Sequence, residues 1–317
     1  MLCSFAHEFP PMVAAFLERD RKLRRHFREE TITDLLMGSL AMMGGRRLIV
    51  EFPDEPKTGA DMQWDFVNEK SNTYLSLLIQ AKRLFGEGKF WRRHNYREIL
   101  HTTGAGGPLQ AEVLCDTARA SVATVPIYMF YNPQQSCNLA HAGGGPNVLG
   151  VNWMDGYLVE NLVKSASTQQ LRTHNKSLAA VYASLMSLPD LLCPSGVLPF
   201  PIIGRAIGWA APGAPLPLVL FRGRIGVAMP PRPEDIRARL AGARERIRAG
   251  VKASEPAAIE LPSIPQLVPV PQDVRLRITR YRSREVAAEP TGYLPHWRVT
   301  FLSTEPPTAE ELANPQG

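Results

Sequence analysis

The chain has 317 residues, 44% hydrophobic and 21% charged, which is enough apolar material for a substantial core and too much for a disordered chain. Its 36 Lys and Arg against 30 Asp and Glu give a formal charge of +6 and a pI near 9.2, compatible with a polyanionic partner without demanding one. Cys3, Cys115, Cys137 and Cys193 lie far apart and form no CxxC pair, so reduced thiols in a cytoplasmic protein are expected rather than a zinc ribbon or a disulfide scaffold.

Residues 12–43 read as helical, with Phe16, Leu17, Leu23 and Phe27 followed by Ile32, Leu35, Leu36 and Leu40 at helical spacing, and Gly44 and Gly45 as the stop. No basic segment followed by a clean apolar run opens the chain, so no signal peptide is expected. Arg46 to Phe52 reads as a strand. Two alternating runs, Asp61 to Asn68 and Thr73 to Lys82, are separated by Glu69-Lys70-Ser71-Asn72 and read as an antiparallel hairpin. Residues 108–121 read as a helix and Val125 to Tyr131 as a buried strand, giving the order α-β-β-β-α-β. Asp155 to Ser187 is again mostly helical. The apolar stretch Val197 to Phe221 is broken by Pro199, Pro201, Arg205, Pro212, Pro215 and Pro217, so it is not expected to form a membrane-spanning helix of about twenty apolar residues. Strand candidates follow at Pro217 to Arg222, Val274 to Tyr281 and Trp297 to Leu302, with an Arg-rich amphipathic helix at Pro233 to Gly250. The texture divides the chain into 12–190, 191–250 and 251–317.

The hairpin carries the chemistry. Opposed residues on antiparallel strands share a face. With the loop centred between Lys70 and Ser71, Asp61 pairs with Gln80 and Trp64 with Leu77. One face then shows Met62, Trp64, Phe66, Leu75, Leu77, Ile79 and Ala81; the other shows Asp61, Gln63, Asp65, Ser76, Gln80 and Lys82. Asp61, the amide oxygen of Gln80 and the carbonyl of Ala81 offer oxygen ligands to a hard cation such as Mg²⁺. Lys82 is placed to orient a water against a phosphodiester or to stabilise developing negative charge. Asp65 either supports the site residues from behind or faces solvent, and the second is the expectation. Glu51 and Glu55 are candidates for an extra ligand.

Gly59-Ala60-Asp61 followed by Ile79-Gln80-Ala81-Lys82-Arg83 resembles the PD-(D/E)xK nucleases, the restriction-endonuclease-like superfamily, and more narrowly its Mrr-like members, whose (D/E)xK element is written QxK. The resemblance covers residues 15–135 and implies an α/β fold with a mixed central sheet flanked by helices, extended here by a C-terminal accessory region. It also implies a glutamate on the first core helix, either Glu29 or Glu30. At about 100° per residue, Glu29 lies about 60° from Ile32 and about 20° from Leu36, which favours it over Glu30. The expected activity is Mg²⁺- or Mn²⁺-dependent hydrolysis of DNA, or of RNA, in a bacterial setting that includes antiviral defence. Glu29, Asp61 and Gln80 would hold the metal and Lys82 would serve the water. Gln80 in place of an acid leaves open a second reading, an inactive nuclease-fold protein that binds nucleic acid or a protein partner.

After Lys82 come Arg83, Lys89, Arg92, Arg93 and Arg97, interleaved with Phe90, Trp91 and Tyr96. They suit phosphate contacts with rings available for stacking, or form a solvated loop. Cleavage of both DNA strands would favour a homodimer. His94 and His101 are expected to be structural. Cys137 and His141 have a metal-compatible spacing, but nothing supplies the other half of a zinc site.

Overall fold

A computed structural model describes residues 2–20, 27–43, 47–51, 60–104, 106–193, 230–250, 261–283 and 297–303. It is a mixed α/β protein. In chain order it contains α1 (Leu2–Asp20), α2 (Glu29–Met43), β1 (Leu48–Glu51), β2 (Met62–Asn68), β3 (Thr73–Arg83), α3 (Gln110–Arg119), β4 (Thr124–Tyr131), α4 (Gln134–Ala142), β5 (Val151–Asp155), α5 (Gly156–Lys164), α6 (Gln169–Asn175), α7 (Leu178–Val181), β6 (Met186–Ser187), α8 (Leu188–Leu192), α9 (Pro233–Gly250), α10 (Gln272–Ser283) and β7 (Trp297–Ser303). Gly44, Gly45, Glu55, Gly59 and the strand candidate at Pro217 to Arg222 lie outside the described residues.

The hairpin register is the one the alternation indicates: Trp64 pairs with Leu77 and Met62 with Ile79, and the Asp61 amide donates to the Ile79 carbonyl at 2.9 Å. Met62, Trp64, Phe66, Leu75, Leu77, Ile79 and Ala81 form one face of the main core, against α1, α2, α8 and α9. Each large side chain among them is worth about 1.5–3 kcal/mol relative to exposure. A slip of one residue would exchange this face with the polar one, so burial fixes the register. A second cluster, built on Leu78, Tyr128 and Phe130, packs the opposite face against α3, α4, α5 and α7.

The seven strands run in the order β1-β7-β2-β3-β4-β5-β6. Strand β7 pairs antiparallel with β1 and parallel with β2, so the C-terminal segment supplies an interior strand of this sheet. It also frames the site. The Trp297 amide donates to the Asp61 carbonyl at 3.1 Å, and the Trp297 indole N–H donates to Asp34 of α2 at 3.0 Å.

Several elements differ from expectation. α1 begins ten residues earlier than the periodicity indicates and runs through Pro10 and Pro11. It packs so closely on the β5 entry that a Cβ at Gly150 would lie 1.8 Å from the Pro10 carbonyl oxygen. The segment Val274 to Tyr281 is helical, within α10, rather than a strand. Its alternating apolar residues mimic period two, but Val274 and Ile278, one helical turn apart, are the buried pair, whereas Leu276 is 48% exposed. The expected free thiols Cys3 and Cys193 are joined as a disulfide, while Cys115 and Cys137 are free and buried. Pairing across 190 positions leaves no local trace in a sequence.

Candidate functional site

Two helices that lie on opposite sides of the sheet begin at the same place. Glu29 is the first residue of α2 and Gln110 the first of α3. Both side chains reach the ammonium of Lys82 near the end of β3, Glu29 Oε1 at 3.2 Å and Gln110 Oε1 at 2.9 Å. Lys82 itself is buried. The first turn of α2 is held in place because the Thr33 hydroxyl donates to the Glu29 carbonyl at 3.1 Å and lies 3.2 Å from the Tyr131 hydroxyl of β4. Glu30 is exposed, so Glu29 is the glutamate that faces inward.

Asp61 sits beside this pair. Its Oδ2 accepts from the Ala81 amide at 2.7 Å and from Gln80 Nε2 at 2.6 Å. The same Gln80 nitrogen donates to the Ala81 carbonyl at 3.3 Å. The electropositive end of the amide therefore bridges two oxygens that could ligate a cation, while Gln80 Oε1 is buried without a hydrogen-bond partner. A buried orphan acceptor is costly. A half-turn of the amide exchanges its two ends and would turn that oxygen toward the same two groups.

The electrostatics match this geometry. Burial raises the Glu29 carboxyl to about 7, with Asp61 adding to the rise and Lys82 opposing it. Burial also raises Asp61, outweighing Lys82 and the hydrogen bonds from Ala81 and Gln80. Two acids, one cationic amine and two helix N-termini thus meet where added positive charge would be favourable for the acids and an anion would be favourable for the helix ends.

Two expectations on the same stretch are corrected. Arg83 is buried, so it is not available to a phosphate. It pairs with Asp20 at the end of α1 and donates to the Phe27 carbonyl just before α2, and so ties the approach to Glu29 onto β3. Asp65 does not face solvent. Fully buried, it accepts from Gln63 at 2.8 Å, Tyr74 at 2.8 Å and Ser76 at 2.9 Å, and pairs with Arg277 of α10 at 3.1 Å. Glu51 lies 3.5 Å from the same arginine and belongs to that network.

Lys89, Arg92, Arg93 and Arg97 are exposed on the segment that follows β3. Arg93 lies over the Phe90 ring at 5.1 Å, and Arg97 over Phe85 at 4.7 Å. Phe90 is 70% exposed, whereas Trp91 and Tyr96 are buried, which leaves Phe90 as the ring of the three open to stacking. A cavity of about 360 Å³ lies beside this segment, lined by residues that include Phe85, Gly86, Arg97 and Pro133. His94 is buried with Nδ1 2.8 Å from the Ser136 hydroxyl, and His101 is exposed, 3.3 Å from Glu98. The Cys137 thiol is buried, with its pKa pushed up to about 12 by that burial, while His141 lies 2.9 Å from the Val148 carbonyl. These contacts are structural. Among the described residues, no helix is long and apolar enough to cross a membrane.

Gln110 is the functional candidate that sequence reasoning missed. Nothing local distinguishes it; its signal is only that it opens the first α-helix after the hairpin. Compared with known proteins, the chain matches over residues 2–306 a family described as "Family of unknown function (DUF6615)", and it belongs to that family. No curated protein and no solved structure matches it.

Proposed function

We propose that this member of DUF6615 is a metal-dependent nuclease that hydrolyses phosphodiester bonds of DNA, using the QxK form of the PD-(D/E)xK constellation. The observation that carries the reading is the meeting of Glu29, Asp61, Gln80 and Lys82, contributed by α2, the entry to β2, and β3, at one end of the sheet. The residues present fit a hard divalent cation. Asp61, Glu29 and the Ala81 carbonyl are oxygen donors, and Gln80 Oε1 is a buried oxygen in need of a partner. Glu29, Asp61 and Gln80 would hold Mg²⁺ or Mn²⁺. When bound, such an ion polarises a phosphoryl oxygen and lowers the pKa of a coordinated water.

The chain's own groups have distinct tasks. Lys82 orients the attacking water and meets negative charge as it develops on the phosphate. Glu29 and Gln110 fix the Lys82 ammonium from two sides, so its position does not depend on substrate. The N-termini of α2 and α3 add partial positive charge toward a phosphate. Lys89, Arg92, Arg93 and Arg97 supply phosphate contacts along the strand being cut, with Phe90 as a stacking platform. A cytoplasmic setting and a role in defence against foreign DNA accompany this reading, and a homodimer would place one centre on each strand of a duplex.

The second reading is a protein that binds nucleic acid without cutting. It draws support from the hydrogen bond between Gln80 and Asp61, which occupies an oxygen the metal would need. Plasmid, single-stranded DNA and RNA incubated with the protein and Mg²⁺ or Mn²⁺ separate the two. Cleavage by wild type that disappears in Asp61→Ala and Lys82→Ala supports the nuclease. Salt-sensitive retention of DNA, identical in all three proteins and without cleavage, supports binding alone.

A further inference from the structure

The first turns of α1 carry a second set of ligating side chains, made of different donors. Cys3 and His7 are four residues apart on α1, so they project from one face of the helix, one turn apart. Cys193, directly after α8, meets them. A ligand atom from each of the three residues lies within 4.8 Å of the others, and all three residues are half-buried. The disulfide between Cys3 and Cys193 accounts for two of them, and the imidazole of His7 stands beside it as a third donor. Two thiolates and an imidazole are the donors that soft or borderline divalent cations select, and a hard ion such as Mg²⁺ does not.

We propose that Cys3, His7 and Cys193 form a redox-gated site for a thiophilic divalent cation such as Zn²⁺, closed as a disulfide when oxidised and open to metal when reduced. A dithiol reductant delivers two electrons and two protons to the S–S bond and is itself oxidised to a disulfide, leaving Cys3 and Cys193 as thiols. Metal binding then forms two metal–sulfur bonds and releases both thiol protons, while His7 donates a neutral nitrogen lone pair. Three protein ligands leave the fourth tetrahedral position to water. Either state ties α1 to α8, covalently under oxidising conditions and through the cation under reducing ones. The tie matters to the rest of the molecule because the far end of α1 carries Asp20, which grips Arg83.

The inference stands apart from the nuclease reading, and its test needs no cleavage. Full-length protein, reduced without oxygen, is titrated with Co²⁺ while the thiolate-to-cobalt charge-transfer absorbance is followed. One equivalent should saturate the band in reduced wild type, the disulfide form should show none, and Zn²⁺ should abolish it. Cys3→Ser combined with Cys193→Ser should remove the band, and His7→Ala should weaken Co²⁺ binding at least about tenfold. On wild type alone, Zn²⁺ should protect Cys3 and Cys193 from alkylation as mapped by mass spectrometry. A reduced wild type without the band, a band that survives the double variant, unchanged affinity in His7→Ala, or alkylation indifferent to Zn²⁺ would each overturn the proposal.

Discussion

Asp61 and Asp65 lie four residues apart on one side of the same sheet, the first half-buried and the second fully buried, and their surroundings differ in kind. Asp65 has a hydroxyl from Tyr74, another from Ser76, an amide from Gln63 and the guanidinium of Arg277. Although burial opposes its charge, Arg277, Arg298 and these hydrogen bonds hold its carboxyl below the ordinary value. Asp61 accepts two N–H donors on one oxygen, and burial leaves its carboxyl above the ordinary value. The first is a carboxylate whose needs are met by the fold, and it fastens α10 to the sheet. The second is left in a state that a further cation would relieve, as the proposed metal centre requires.

Substitution should separate the two sites by what is lost. Asp61→Ala should reduce DNA cleavage on the order of 10²–10³-fold or more with little change in the thermal unfolding midpoint, read by a plasmid-nicking assay beside a melting curve. Asp65→Ala should do the reverse, costing about 3–5 kcal/mol in urea unfolding because Arg277 is left buried without its main partner. Gln110→Ala should lower the cleavage rate about tenfold at saturating DNA, with DNA affinity kept, since its amide acts through Lys82. The smallest effect is one of pH. A carboxyl whose folded-state pKa is depressed contributes stability above its unfolded value of about 4, and that contribution fades as pH falls through the folded value. Asp65→Asn should therefore cost most near neutrality and progressively less in acid, the urea midpoints of variant and wild type converging at low pH.

Much of this contrast was readable from residues near one another in sequence, and the rest was not. The alternation of Met62, Trp64 and Phe66 against Leu75, Leu77 and Ile79 is a local pattern, and it yields the register that sets Asp61 opposite Gln80. Helical angles single out Glu29 over Glu30, because a helix packed by Ile32 and Leu36 turns Glu29 inward. What decides the fate of Asp65 comes from Arg277, 212 residues away, and no local signal marks that arginine. The burial of Arg83 depends likewise on Asp20, at the end of a helix whose early start the two prolines obscured. Strand β7 reaches its place between β1 and β2 from the far end of the chain, so a hairpin-centred reading could not anticipate it. In α10, Val274, Leu276 and Ile278 alternate with polar residues as they would in a strand, and only the tertiary contact shows that Val274 and Ile278 are the buried pair.

The most direct test of the contrast between these two aspartates is a calorimetric titration of Mn²⁺ into the disulfide-bonded protein and its Asp61→Ala and Asp65→Asn variants. One Mn²⁺ should bind per chain in wild type and in Asp65→Asn, and none in Asp61→Ala. Equal binding by wild type and Asp61→Ala, or no binding by wild type, would contradict the assignment of the Glu29–Asp61–Gln80 centre as a metal site.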